Sequence, residues 1–144
     1  MIEDISTEIL VERPPERLWQ VMTSEGLVDQ WLGCMGFTPA IGHTFYMQPD
    51  PAKREAGDVS GATHCELLEL DEPRAMRFSW FYPDMPKTEV EIRLSDDGGS
   101  TRVSLVHRGW HQFDGAMIRQ IRDQLAGGWS SHVLPGLKRV AEAG

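Results

Sequence analysis

The chain has 144 residues, 40% of them hydrophobic and 25% charged, so a single domain spanning 1–144 with its own core is expected. Fourteen Lys and Arg against 22 Asp and Glu leave a net charge of -8. That balance disfavours nucleic acid and an anionic membrane surface as partners, since both call for concentrated basic surface.

Nothing in the chain approaches the roughly 18 apolar residues of a membrane span. The acidic start Ile2-Glu3-Asp4 lacks the basic and apolar parts of a signal peptide. Cys34 and Cys65 form no CxxC pair, and two cysteines are too few for a disulfide framework. A cytoplasmic protein with reduced, buried thiols is the expectation.

Ser6 to Val11 carries β-branched residues and reads as a strand. Pro14-Pro15 stops it, and proline suits the first turn of a helix, here one with Leu18, Trp19 and Met22 at helical spacing. Thr23 or Ser24 is placed to cap a second short helix with Leu27, Val28, Trp31 and Leu32, closed by Gly33. His43 to Met47 is a strand. Gln48 to Asp58, with two prolines, a glycine and five charges, reads as a solvated loop.

Val59 to Leu70, Ala75 to Phe81, Thr88 to Leu94 and Thr101 to Arg108 then follow as strands. Met76, Phe78 and Trp80 share one face, as do Val90, Ile92 and Leu94, and Val103, Leu105 and His107. The connections are short, and Asp96-Asp97-Gly98-Gly99 is a hairpin loop, so consecutive strands pair antiparallel. Past Gly109 the period changes. Asp114 is placed to cap a helix running to about Glu142, with Met117, Ile121, Leu125, Trp129, Val133, Leu137 and Val140 in one apolar stripe. Pro135 should kink that helix or tighten the turn before it. The stripe and the one-sided sheet each need a cover, and they answer each other.

Several local stretches carry a family resemblance. Pro14-Pro15-Glu16-Arg17-Leu18-Trp19 and Leu27 to Gly33 resemble the opening of the START-like (SRPBCC) superfamily, in the branch named after the activator of the heat-shock-protein-90 ATPase. Leu68 to Trp80, Ser100 to Trp110, and Gly128-Trp129 followed by Leu134-Pro135 and Leu137 resemble its later motifs. Gln30 and Leu32 depart from that branch, which has Arg and Trp there. The resemblance implies an α+β helix-grip fold: a curved antiparallel sheet of about six strands, two short helices and a long C-terminal helix. That superfamily includes lipid carriers, cyclases and co-chaperone domains, so the fold alone does not choose a function.

Candidate site residues come from the faces expected to look inward. Phe45, Phe78, Trp80, Trp110, Ile121, Leu125 and Trp129 are either plain core or the walls of a pocket for a small hydrophobic or aromatic ligand. His107, on the same face, is either a satisfied buried histidine or one polar anchor for that ligand. An enzyme of the cyclase, dehydratase or hydrolase kind would need His107 and a carboxylate such as Glu66 in one cavity. A co-chaperone-like interaction module is a further alternative. No catalytic residue is assigned. No HExxH, Cys/His cluster, GxGxxG or phosphate loop is present, so neither a metal nor a cofactor is expected. Gly127-Gly128 inside the helix marks a bend or close contact with the sheet, or else room for a ligand. The loop Phe81 to Pro86 is a candidate cavity lip or the contact of a homodimer.

Overall fold

The structure is a computed structural model that describes residues 2–144. Seven strands form one curled antiparallel sheet: β1 (Ile5–Val11), β2 (Cys34–Met35), β3 (Thr44–Met47), β4 (Thr63–Asp71), β5 (Ala75–Phe81), β6 (Thr88–Asp97) and β7 (Ser100–Arg108). Their spatial order is β1-β7-β6-β5-β4-β3-β2. The sheet thus has one strand more than the sequence predicts, because two-residue β2 is too short to leave a period. Gly98 and Gly99, both at positive φ, make the tight β6–β7 turn, the backbone state such a two-residue hairpin needs.

Alternation decides which face is covered. Val90, Ile92 and Leu94 of β6 and Val103, Leu105 and His107 of β7 are buried, while the residues between them face outward. The outer face carries ion pairs such as Arg77–Glu89 at 2.6 Å and Arg108–Glu91 at 3.1 Å. Arg77, Glu89 and Arg108 stay partly in solvent while Glu91 is mostly covered, and pairs with this much water contact add little to stability.

Helix α1 (Pro15–Thr23) begins with proline in its first turn and buries Leu18, Trp19, Val21 and Met22. The second helix, α2, is only Glu25–Val28, and Ser24 caps it without a side-chain hydrogen bond, contrary to the expected capping. Thr23 Oγ1 instead donates to the Trp19 carbonyl. The segment expected as a loop contains a helix, α3 (Pro51–Ala56). Asp50 caps it by accepting from the Ala52 N–H, and Gly57 ends it in the left-handed conformation. These are ordinary start and stop signals that the prolines and charges of the stretch obscured.

The C-terminal arm comes in three parts: α4 (Ala116–Gly128), a π turn (Trp129–Val133) and α5 (Leu134–Glu142). Gly115, not Asp114, occupies the N-cap position. Pro135 has no N–H to offer and its ring crowds the carbonyl four residues back. The turn before it widens rather than tightens, and the Leu134 N–H bonds the Trp129 carbonyl five residues back. The two helices meet the sheet differently. α5 buries Leu134, Gly136, Leu137, Val140 and Ala141 against β1 and α1, whereas α4 buries no residue at all. Met117, expected in the apolar stripe, is 74% exposed. The arm therefore closes the core fully at its far end, while along α4 Ile118, Ile121, Leu125 and Ala126 pack against it only half-buried.

Candidate functional site

This partial packing leaves a cleft of about 300 Å³ between α4 and the sheet. Trp80 of β5 and Met47 of β3 form its floor, Ile121 and Leu125 of α4 its roof, and Trp129, Val133 and Tyr82 its ends. A smaller, wholly apolar hollow of about 40 Å³ adjoins it past Trp80, Tyr82 and Ile121, and is closed by Trp110, Phe113 and Ile118. A shallow depression of about 740 Å³ lies elsewhere, among exposed residues between Asp114 and Gln124 on the outer side of α4. No large apolar side chain lines it, so the cleft under α4 is the better candidate for a binding site.

Beneath the cleft an aromatic cluster surrounds His107. Its ring centroid lies 5.2 Å from Trp80, 4.9 Å from Trp110 and 6.0 Å from Trp129. The Trp129 indole N–H donates to His107 Nδ1 at 3.2 Å. An indole nitrogen only donates, so Nδ1 is the acceptor and the proton of the neutral ring is assigned to Nε2. Nε2 then donates to Thr88 Oγ1 at 2.7 Å, and Thr88 donates in turn to the Trp80 carbonyl at 2.6 Å. The Trp129 indole, both His107 nitrogens and the Thr88 hydroxyl are thus all satisfied within the protein. Burial pushes the imidazole down to about 3, consistent with a permanently neutral ring.

Gly109, at φ 104°, lets the chain leave β7 and place Trp110 in this cluster. A Cβ there would lie 3.2 Å from Thr88 Cα. The Trp110 Nε1 is buried without a hydrogen-bond partner.

Of the residues singled out in the sequence, Trp80, Ile121, Leu125 and Trp129 line the cleft and Trp110 closes its apolar annex. His107 supports the floor from below and is fully buried. Phe45 and Phe78 point inward, but Phe45 packs edge to face on Phe78 and on Phe37, at centroid distances of 5.4 and 5.3 Å, inside the core. They do not border the cleft. Met47, Tyr82 and Val133 do, and were missed as wall residues; Tyr82 lies in the loop read as a lip. A Cβ on Gly127 or Gly128 would meet nothing within 4 Å. Close contact with the sheet is thereby overturned, and Gly128 borders the cleft.

The acid–base pair considered in the sequence does not assemble. Glu66 alternates with buried Cys65 and Leu67, which puts it on the sheet face opposite His107. Both cysteines are free and buried. Burial, with the Asp29 charge adding to it, pushes the Cys34 thiol up to about 12, and burial raises Cys65 well above its ordinary value. Neither is poised as a nucleophile. Among the described residues no group of three metal-ligating side chains converges, and no helix is long and apolar enough to cross a membrane.

This architecture has known relatives. Residues 12–142 match the family described as Activator of Hsp90 ATPase homolog 1-like protein. The chain belongs to that family. Its members' fold recurs in solved structures: MLL2253 from Mesorhizobium loti is 20% identical, with 98% of each chain covered and a TM-score of 0.79. CalU16 from Micromonospora echinospora is 23% identical over 96% of this chain and 65% of that one, with a TM-score of 0.69. The Aha1 dimer from Colwellia psychrerythraea is 18% identical, covering 97% and 96%, with a TM-score of 0.68. At these identities the likeness fixes the helix-grip fold and no activity. Among curated proteins none matches the chain.

Proposed function

We propose that this Activator of Hsp90 ATPase homolog 1-like protein binds a small hydrophobic or aromatic molecule between α4 and the sheet. The observation that carries this reading is that α4 buries none of its residues, although Ile121 and Leu125 face a tryptophan-floored cleft. A helix with no ligand role would gain about 25 cal/mol for each Å² of apolar surface it pressed onto the sheet. Here Ile121 and Leu125 are only half-buried, and the rest of their surface is left for another occupant. Flat, rigid Trp80, backed by Trp129 at the cleft's end, supplies contact with little loss of side-chain freedom. Two free, buried thiols suit a reducing cytoplasmic setting. Tyr82 and Met85, 37% and 38% exposed at the rim, are the patch through which a homodimer would form.

Leu125→Trp tests the reading by filling the cleft. The protein should melt within a few degrees of the parent, because the added ring enters open space. Affinity for the neutral fluorophore N-phenyl-1-naphthylamine should fall at least about tenfold. In a packed core the same change would cost about 1–3 kcal/mol. A variant that melts far below a parent that takes up no probe contradicts the proposal.

A further inference from the structure

The cleft does not end at Trp80. It continues past Met47, Tyr82, Leu125 and Val133 into a second section of about 560 Å³ whose far end is polar. Asp29, Gln48, Arg54, Thr63 and His132 stand there.

Arg54 is the notable member. It belongs to α3, which is fixed at one end by the Asp50 cap and at the other by Gly57. Its guanidinium lies over Gly33, where a Cβ would meet Nη1 at 3.5 Å and Cζ at 4.0 Å. One donor goes to the Gln48 carbonyl. Arg54 enters no ion pair among the described residues, unlike Arg74, Arg77, Arg93, Arg102, Arg108 and Arg122. A half-buried guanidinium with free donors, tethered by Gln48 at the end of an apolar cleft, is shaped for the two oxygens of a carboxylate.

Thr63 adds to this. It is buried, its hydroxyl has no protein partner among the described residues, and it borders the same space. Gln48, by contrast, is consumed internally, donating to the Asp58 and Ser60 carbonyls and accepting from the Asp50 N–H. Asp29 is the counterweight. Its carboxylate faces the same section and receives only a long contact from the Cys34 thiol, at 3.9 Å. One cation beside one anion suits a singly charged head better than a phosphate.

We infer that the ligand is an amphipathic monocarboxylate, its apolar part under α4 between Trp80 and Leu125 and its carboxylate on Arg54 and Thr63. This rests on the cleft reading above and names the ligand class. Calorimetric titration with decanoate and with 1-decanol separates the two claims. The parent should bind decanoate more tightly than decanol. Arg54→Gln should weaken decanoate about tenfold, the worth of a charge-assisted hydrogen bond, and leave decanol unchanged. Asp29→Asn should strengthen decanoate about threefold by removing a like charge, again without effect on decanol. Equal affinity for the two probes, with no response to either substitution, overturns the carboxylate assignment while the cleft stands. Binding of neither probe overturns both.

Discussion

Replacing Trp129 by alanine is expected to lower the unfolding free energy by about 4 kcal/mol. Truncating a buried tryptophan costs about 3–5 kcal/mol, through lost transfer energy and the void left behind. Trp129 is 1% exposed, packs on His107 and donates its indole proton to Nδ1. Its loss also deprives a buried acceptor of its partner. Against a total of about 5–15 kcal/mol for an ordinary domain, this is a severe lesion, readable as a shifted urea midpoint. Leu125→Ala, one turn earlier and half-buried over the cleft, should cost only about 1 kcal/mol. Equal losses at the two positions would mean that α4 is packed on the sheet as α5 is.

The second large effect is a loss of stability in mild acid. The His107 imidazole is pushed down to about 3 by burial, against about 6.5 in the unfolded chain. Between those values the unfolded state takes up a proton that the native state refuses, so stability falls as pH falls. The expected loss from this group is about 2 kcal/mol between pH 7 and pH 5. His107→Leu should be less stable at pH 7, since the Trp129 N–H loses its acceptor, but its stability should fall less steeply over that interval. A parent and variant with the same slope would show that His107 is not the buried neutral group described here.

The sheet was legible because half-buried strands write a period of two into the chain. Val90, Ile92 and Leu94, and Val103, Leu105 and His107, left little choice of face. The C-terminal arm was legible as a helix but not in its separation from the sheet. Ile121 and Leu137 occupy equivalent places in one stripe, yet only Leu137 is fully buried while Ile121 is half-buried against the edge of the core, since the π turn before Pro135 interrupts the helix between them. For the same reason Phe45 and Phe78 could not be told from Trp80. All three point inward, and only the position of α4 decides which of them meets open space. Arg54 escaped notice because a charged residue in a proline-rich stretch reads as solvated surface. Its role depends on α3 folding back over Gly33, a long-range placement that no local pattern records. The bond from Trp129 to His107 spans 22 residues and is likewise invisible in periodicity.

The central claim is that the space under α4 takes up an apolar molecule. The five tryptophans, Trp19, Trp31, Trp80, Trp110 and Trp129, provide a direct readout through their indole N–H resonances in a proton–nitrogen NMR spectrum. On titration with N-phenyl-1-naphthylamine, the Trp80 and Trp129 signals should shift saturably and together, while Trp19, buried in α1 and bordering no part of the cleft, stays in place. Signals that do not move, or that drift without saturation at all five positions, would contradict a binding cleft between α4 and the sheet.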